Sequence, residues 1–220
     1  TSLYQTSYKG EVFVGLGNYI GLLDDDIFKL VIKNTVLWTS GGVVLNVGLG
    51  LGTALLLNRQ SRGSEFLRGA LVLAWATPLV VAAIAWKWLL NAEYGHLNGV
   101  LLQLGMIEHP VAWLTGASTA FVGGLFARLW TALPFTTFAF LSALQAIPSE
   151  LYEAAKIDGT TVFQRFRFVT LPLMQPVAVA VLLISVIWSF NSFVFIYVIT
   201  GGGPANETQI LVTEIYRRAF

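Results

Sequence analysis

Four side chains in the hydrophobic second half of the chain carry polar or charged groups, which are unfavourable in hydrocarbon. They are a guanidinium at Arg128, an indole at Trp188, an amide at Asn191 and a hydroxyl at Ser192. Amide and hydroxyl groups beside an aromatic ring suit sugars, which offer hydroxyls for hydrogen bonds and an apolar C–H face. The four residues are therefore candidates for lining a solute pathway, with Asn191 the first choice to face it.

Arg128 has two interpretations that the sequence leaves open. An ionisable group inside a membrane span is a functional candidate by default, so Arg128 could line a polar cavity or pair with an anionic ligand. If the span begins later, Arg128 instead reaches the membrane interface or pairs with a neighbouring subunit. Ser189 adds another polar group near Asn191 and Ser192. These three cannot share one narrow helix face, so some must serve helix packing.

The remaining residues offer no catalytic or metal-binding arrangement. The chain has no cysteine, which removes disulfides, thiolate catalysis and thiolate metal ligands. His96 and His109 lack the spacing of metal ligands. The triple aspartate at 24–26 has no second acidic cluster beside it. It predicts a solvated turn whose last residue precedes a helix near Ile27. We expect no metal site, no cofactor and no enzyme activity in this chain.

The composition is that of a membrane protein. Of 220 residues, 55% are hydrophobic and only 11% are charged, and the mean hydropathy is +0.70. Soluble domains carry about 25% charged residues, so the deficit indicates a protein with several membrane spans. The net charge is only +1, so the protein lacks the strongly positive electrostatic potential that attracts nucleic acid. This argues against a nucleic-acid partner.

Four hydrophobic segments predict membrane-spanning helices, so the fold class is all-α integral membrane. The segments cover residues 31–57, 69–90, 117–146 and about 175–199, with Pro78 inside the second. Each is long enough to cross about 30 Å of hydrocarbon.

The first span contains small and polar residues that predict contacts with other helices. Gly48, Gly50 and Gly52 favour close helix packing, because small residues let helices approach each other in lipid. No strand precedes them, so they are not a dinucleotide-binding motif. Asn46 is a polar group in the same span and therefore a pathway or helix-contact residue.

The two sides of the membrane differ in loop length rather than in charge. One side holds the basic loop 59–68 and the segment 147–168, and the two sides tie at six Lys and Arg residues each. Positive-inside bias is counted over short loops, so the side with the shorter loops is predicted to be cytoplasmic. The residues compared are Arg59, Arg62, Arg68, Lys156, Arg165 and Arg167 on that side, and Lys9, Lys29, Lys33, Lys87, Arg217 and Arg218 on the other.

A long polar island at 148–176 interrupts the hydrophobic second half and predicts two short helices joined by a glycine. Ser149 is suited to cap the first helix. Gly159 stands where a helix needs a left-handed residue to end. Thr161 and Gln164 have capping-box spacing, so the second helix can start at once.

The second helix of the island is expected to end at Leu171-Pro172 and Pro176, where a new hydrophobic run begins. A helix–glycine–helix unit between two spans has a shape that a partner protein outside the membrane can bind.

The island resembles the EAA loop of ATP-binding-cassette importer permeases. The spacing of Glu153-Ala154-Ala155, Gly159 and Leu171-Pro172 matches, and Val169 replaces the usual isoleucine. The resemblance implies a cytoplasmic coupling helix that docks into a groove of an ATPase subunit. The residues it assigns to this coupling are Glu153, Ala154, Ala155, Asp158, Gly159, Leu171 and Pro172.

A second resemblance selects a subfamily. Residues 13–19, 197–204 and 213–220 are similar to stretches of carbohydrate-importer permeases of the maltose-transporter membrane type. Residues 190–193 stand where that type carries polar pathway residues. The likeness implies a bundle of about six transmembrane helices, of which four are visible here, with the first and last spans outside this sequence.

The resemblance also implies how the work is divided among several chains. Residues 1–220 form a single transmembrane permease domain, with 148–172 as its cytoplasmic coupling loop, called the elbow below. An extracytoplasmic solute-binding protein delivers a sugar, a related polyol or a glycerol phosphate. This subunit and a second permease form the pathway. Two ATPase subunits bind ATP and Mg. The expected location is a prokaryotic cytoplasmic (inner) membrane, which the chain crosses several times.

The alternative is a secondary transporter or channel without an ATPase partner. Such a protein needs paired ionisable residues within the membrane, and Arg128 is the one clear candidate in the sequence. Dependence on ATP distinguishes the two functions.

Overall fold

The computed structural model describes residues 4–7, 10–59 and 63–220. Two of the residues in the charge comparison, Lys9 and Arg62, lie outside this range. Strands β1 (Tyr4–Ser7) and β2 (Gly10–Phe13) pair antiparallel. The helices are α1 (Gly17–Asp24), α2 (Asp26–Asn58), α3 (Ser64–Ala76), α4 (Leu79–Leu89), α5 (His96–Gln103), α6 (Ala117–Gln145), α7 (Ser149–Ile157), α8 (Val162–Arg165), α9 (Leu171–Phe190), α10 (Phe193–Phe195) and α11 (Leu211–Ala219), with π-helical turns at Phe166–Thr170 and Ile196–Thr200.

Three helical segments of the described chain are long and apolar enough to cross a membrane. They are Asp26–Asn58, Ala117–Gln145 and Val162–Thr200, and they correspond to the predicted first, third and fourth spans. The basic loop predicted at 59–68 is shorter than expected, because α3 already begins at Ser64.

The predicted span at 69–90 is formed by two helices and not by one. The structure forms α3 and α4 there, and the two helices are bent by 108°. Pro78 causes the break, because it has no N–H to donate and disfavours a helical backbone in the residue before it. Thr77 is accordingly extended, with φ −75° and ψ 124°. Its Oγ1 donates to the carbonyl of Leu73 at 2.8 Å, which satisfies one acceptor at the end of α3.

Helices α2, α6 and α9 pack against one another at the centre of the bundle. Two apolar clusters fill this centre. One lies toward the elbow and includes Leu57 and Phe140, and the other lies toward the opposite end and includes Trp38 and Ile196. The central helices are therefore apolar toward both ends, and the polar residues described next lie on these helices.

Asn46 links the three central helices. Its side chain is buried, and its Nδ2 donates to Thr136 Oγ1 at 2.8 Å and to Ser185 Oγ at 3.1 Å. Hydrogen bonds between helices help to hold a bundle together where hydrocarbon provides no hydrophobic drive. Of the two roles that the sequence left open for Asn46, the structure shows the helix contact.

The close packing expected from the three glycines occurs at Gly50. A Cβ at this position would overlap the Cγ2 of Thr136 and lie 2.9 Å from its Cβ. Gly48 and Gly52 are exposed, and a Cβ at either would meet nothing within 4 Å. A helix presents only one face to its neighbour, so glycines two residues apart cannot all serve the same contact.

We predict that Gly50→Ala destabilises the protein by about 1–3 kcal/mol, because the added methyl group forces α2 and α6 apart. The measurement is the thermal unfolding midpoint of the purified protein in mild detergent. Gly52→Ala is the matched control, and its midpoint should be equal to or higher than that of the unmodified protein, since alanine favours the helix. Equal midpoints for the two variants would contradict the proposed contact.

Candidate functional site

A cavity of about 480 Å³ lies where two breaks in helices meet α6. One break separates α3 from α4, and the other separates α9 from α10. Irregular backbone at membrane depth is tolerated where it lines a cavity or is buried in protein. All four residues predicted for the pathway line this cavity: Arg128, Trp188, Asn191 and Ser192.

Sequence reasoning missed part of the lining. Trp75, Thr77 and Thr131 also line the cavity and add a second indole and two hydroxyls. The available signal was Pro78, since a proline inside a predicted span marks a place where the helix can break and open a site.

Arg128 lies inside the bundle and not at a membrane interface, since only 3% of its surface is exposed. Its Nε donates to Ser192 Oγ at 2.8 Å, and Ser192 Oγ donates to the carbonyl of Trp188 at 3.0 Å. Nη1 and Nη2 are buried and have no hydrogen-bond partner among the described residues. Gly42 makes room for the guanidinium, because a Cβ there would lie 3.2 Å from Nη1.

The polar residues near the break between α9 and α10 have different surroundings. The predicted span at about 175–199 is present but contains a break, because α9 ends at Phe190 and the backbone turns at Asn191 (φ −90°, ψ 25°). Asn191 is exposed and lines the cavity, as expected, while its Nδ2 donates to the carbonyl of Ile187 at 3.0 Å. Ser189 is fully buried in the bundle.

The elbow has the predicted glycine-terminated first helix. Gly159 has φ +72°, the left-handed conformation that ends α7. The N–H of Thr160 donates to the carbonyl of Ala155 at 3.1 Å, and the N–H of Gly159 donates to that of Lys156 at 3.0 Å. This pair of hydrogen bonds is the Schellman pattern, which satisfies carbonyls left free at a helix end.

The two helix starts in the elbow differ. The capping box predicted at the second is present, with the N–H of Gln164 donating to Thr161 Oγ1 at 3.3 Å and the N–H of Thr161 donating to Gln164 Oε1 at 2.7 Å. The cap predicted at Ser149 is wrong. Pro148 takes the N-cap position, Ser149 is the first helical residue, and no side chain caps this end.

The predicted end of the second elbow helix at Leu171-Pro172 and Pro176 is also wrong. Helix α8 continues through the π-helical turn Phe166–Thr170 into α9, and both prolines lie inside α9. In the π turn the N–H of Leu171 donates to the carbonyl of Phe166, five residues back. The wider turn changes the hydrogen-bond ladder immediately before Pro172, which cannot donate to it.

The second helix of the elbow, α8, is therefore joined without interruption to a membrane-spanning helix. A further link joins α7 to the π turn, where the hydroxyls of Tyr152 and Thr170 lie 2.9 Å apart. Four apolar side chains of the elbow are strongly exposed: Ile157 at 87%, Phe168 at 74%, Phe163 at 72% and Val162 at 70%. These exposed apolar side chains make the elbow a candidate interaction surface.

The residues assigned to coupling by the resemblance differ in exposure. Of these, Ala155 is buried, Leu171 is half-buried, and the exposed ones are Glu153, Ala154, Asp158, Gly159 and Pro172.

At the opposite end of the bundle, an ion-pair cluster holds α11 against α2. Glu214 is 2% exposed and accepts hydrogen bonds from Arg217 and Arg218. These bonds, with that from Arg217 the largest cause, lower the pKa of the Glu214 carboxyl. Arg218 also pairs with Asp25. The cluster thereby connects the end of the described chain to the start of the first span.

Asp25 caps α2 through its Oδ1, which accepts from the backbone N–H groups of Ile27 and Phe28. Asp26 is the first helical residue, so the expectation that it precedes the helix is off by one position. Within residues 4–7, 10–59 and 63–220, no group of three or more His, Asp or Glu residues could hold a metal ion.

Comparisons with known proteins identify the family. Residues 46–220 match the family of binding-protein-dependent transport system inner membrane components, and the chain belongs to this family. It is 39% identical over 203 residues to a probable ABC transporter permease protein of Brucella suis biovar 1, covering 92% of this chain and 70% of that protein. It is 41% identical over 196 residues to the trehalose/maltose transport system permease protein MalF of Thermococcus litoralis, covering 89% of this chain and 66% of that protein.

The fold is also that of a solved importer. A crystal structure of a bacterial ABC transporter involved in the import of the acidic polysaccharide alginate superposes with a TM-score of 0.82 at 24% identity. The match covers 94% of this chain and 73% of that chain. The family recognised from the elbow motif and the all-α membrane fold class are confirmed. The family is one of transport permeases and not of enzymes.

We predict that Gly159→Val loosens the elbow. A Cβ at this position meets nothing within 4 Å, so the cost is the left-handed backbone itself, about 1–2 kcal/mol for a residue with a side chain. The measurement is amide hydrogen exchange of peptides covering 149–165, in which the Thr160 amide should exchange about fivefold faster or more. Gly159→Asn is the matched control, since asparagine tolerates this conformation, and exchange should change less. Equal exchange in all three proteins would contradict the role given to Gly159.

Proposed function

We propose that this chain is the membrane-spanning subunit of an ATP-driven importer and forms the solute pathway together with a second permease. The solute is a sugar or a related polyol or glycerol phosphate, delivered by an extracytoplasmic solute-binding protein. Two ATPase subunits bind ATP and Mg and act on this chain through the elbow, residues 148–172. The assembly lies in a prokaryotic cytoplasmic (inner) membrane.

The observation that carries the coupling role is the direct continuation of the elbow into a spanning helix. A docked ATPase would grip Glu153, Ile157 and Phe163, which are exposed on the elbow. A displacement of α8 would pass through the π turn into α9 along a continuous helix, and a displacement of α7 would reach it through the Gly159 turn and the contact between Tyr152 and Thr170. Because α9 ends at Asn191, the same helix reaches the cavity that we assign to the solute.

The lining of the cavity supports a sugar-like solute. Trp188 is 44% exposed and offers an indole for stacking, while Asn191 and Thr131 offer polar groups. A volume of about 480 Å³ lies within the range of small-molecule sites. The relative from Thermococcus litoralis is named for trehalose and maltose, which favours the same class of solute.

We predict that Ile157→Asp releases the ATPase. A charge placed on an exposed apolar contact must be desolvated on docking, which should weaken binding about tenfold or more. The measurement is the amount of ATPase that co-purifies with the tagged permease from its native membrane in mild detergent, together with solute-dependent ATP hydrolysis.

Leu104→Asp is the matched control, because Leu104 is an exposed apolar residue at the opposite end of the bundle. It should leave the ATPase bound. If the unmodified chain purifies without any ATPase and transports solute without ATP, the proposed function is wrong and the secondary transporter or channel takes its place.

A further inference from the structure

The geometry points to an anion site in the cavity: we propose that the transported solute carries an acidic group, a carboxylate, sulfonate or phosphate, that binds at the start of α4, on the cavity that Arg128 also lines. The inference rests on the proposed function, since it assumes that the cavity belongs to the solute pathway.

The first observation is the uncompensated charge of Arg128. The guanidinium keeps its charge in proteins, and burying a charge without a partner is strongly unfavourable. Arg128 is almost fully buried, and its one hydrogen bond is to the neutral hydroxyl of Ser192. The described residues that line the cavity include no aspartate or glutamate. The site therefore has a positive charge that the described chain does not balance.

The second observation is independent of Arg128 and concerns the start of α4. This helix has 11 residues, and no side chain of the described chain caps its N-terminus at Pro78. The first N–H groups of a helix have no partner within it and carry a partial positive charge, so they attract anions. Thr77, Pro78 and Leu79 line the cavity, which places this helix end on the same cavity as Arg128.

The two features divide the work of binding. Protein covers Nη1 and Nη2 of Arg128, so the guanidinium does not contact the solute directly. Its positive charge attracts an anion through the protein, where a low dielectric makes the attraction effective over several ångströms. The free N–H groups of α4 are the donors available for direct hydrogen bonds. Trp75 and Trp188 line the same cavity and can hold the neutral, ring-bearing part of the solute.

The experiment uses tryptophan fluorescence, to which Trp75 and Trp188 contribute among the seven tryptophans of the chain. The purified permease complex is titrated with sodium glucuronate, glucose 6-phosphate and glucose, at constant ionic strength. We expect a saturable change with at least one of the two acidic sugars and no saturable change with glucose over the same range. This comparison needs no variant and so does not depend on how a substitution folds.

Substitutions at Arg128 then test whether its positive charge attracts the acidic group of the solute. Arg128→Gln should weaken the acidic sugar about tenfold or more, as expected for the loss of a charged partner, while Arg128→Lys should retain part of the affinity. Arg59→Gln removes an exposed arginine remote from the cavity and is the control that should bind as the unmodified complex does.

Four results would overturn the proposal. Glucose and the acidic sugars could bind equally well, or Arg128→Gln could bind the acid unchanged. The complex could bind no acidic sugar and lose one tightly held anionic lipid in Arg128→Gln, which would assign the site to a lipid headgroup. It could also bind no acidic sugar and lose the second permease in Arg128→Gln, which would assign the charge to a subunit contact.

The failure of this inference is distinct from failure of the proposed function. An assembly that retains its ATPase, imports with ATP and responds only to glucose keeps the proposed function and excludes the acidic solute. An assembly without an ATPase that still binds glucuronate through Arg128 keeps the anion site and excludes the importer.

Discussion

The close approach of α2 to α6 is the contact on which the rest of the structure depends. In hydrocarbon there is no hydrophobic drive between helices, so backbones must come close and polar groups must pair across the gap. Gly50 brings α2 against Thr136, and the same threonine accepts a hydrogen bond from Asn46. Gly42 leaves the space in which the guanidinium of Arg128 lies. Without these glycines, the central polar groups would have no room between the helices.

Two interruptions of helical structure convert this packed bundle into a site. Each break frees backbone groups that lipid cannot satisfy, so the protein must place them against polar side chains or a cavity. The break at Pro78 and the one at Asn191 both line one cavity. Because α9 runs from the elbow to the second break, a displacement of the elbow reaches the cavity along one helix. This continuity is the structural basis of the coupling that we propose for the elbow.

The local features of the elbow were predictable, while its connections were not. Gly159 and the pair Thr161 and Gln164 behave as their residue types predict, because a left-handed turn and a capping box each involve only a few successive residues. The predicted stop at Pro172 is wrong because a π turn precedes it and changes the hydrogen-bond ladder. The cap at Ser149 is absent because the proline before it takes the N-cap position.

The sequence by itself determined the class of protein. Its few charges and long apolar segments indicated membrane helices, and the spacing from Glu153 to Pro172 indicated the importer family. Both signals depend only on the order of residues along the chain. Only the tertiary structure decided that Arg128 is buried without an ion-pair partner among the described residues, that the segment around Pro78 bends by 108°, and that residues from five helices meet at one cavity. The physical reason is that capping, turn formation and hydropathy act over a few residues. The surroundings of a buried group instead depend on which distant helices pack against it.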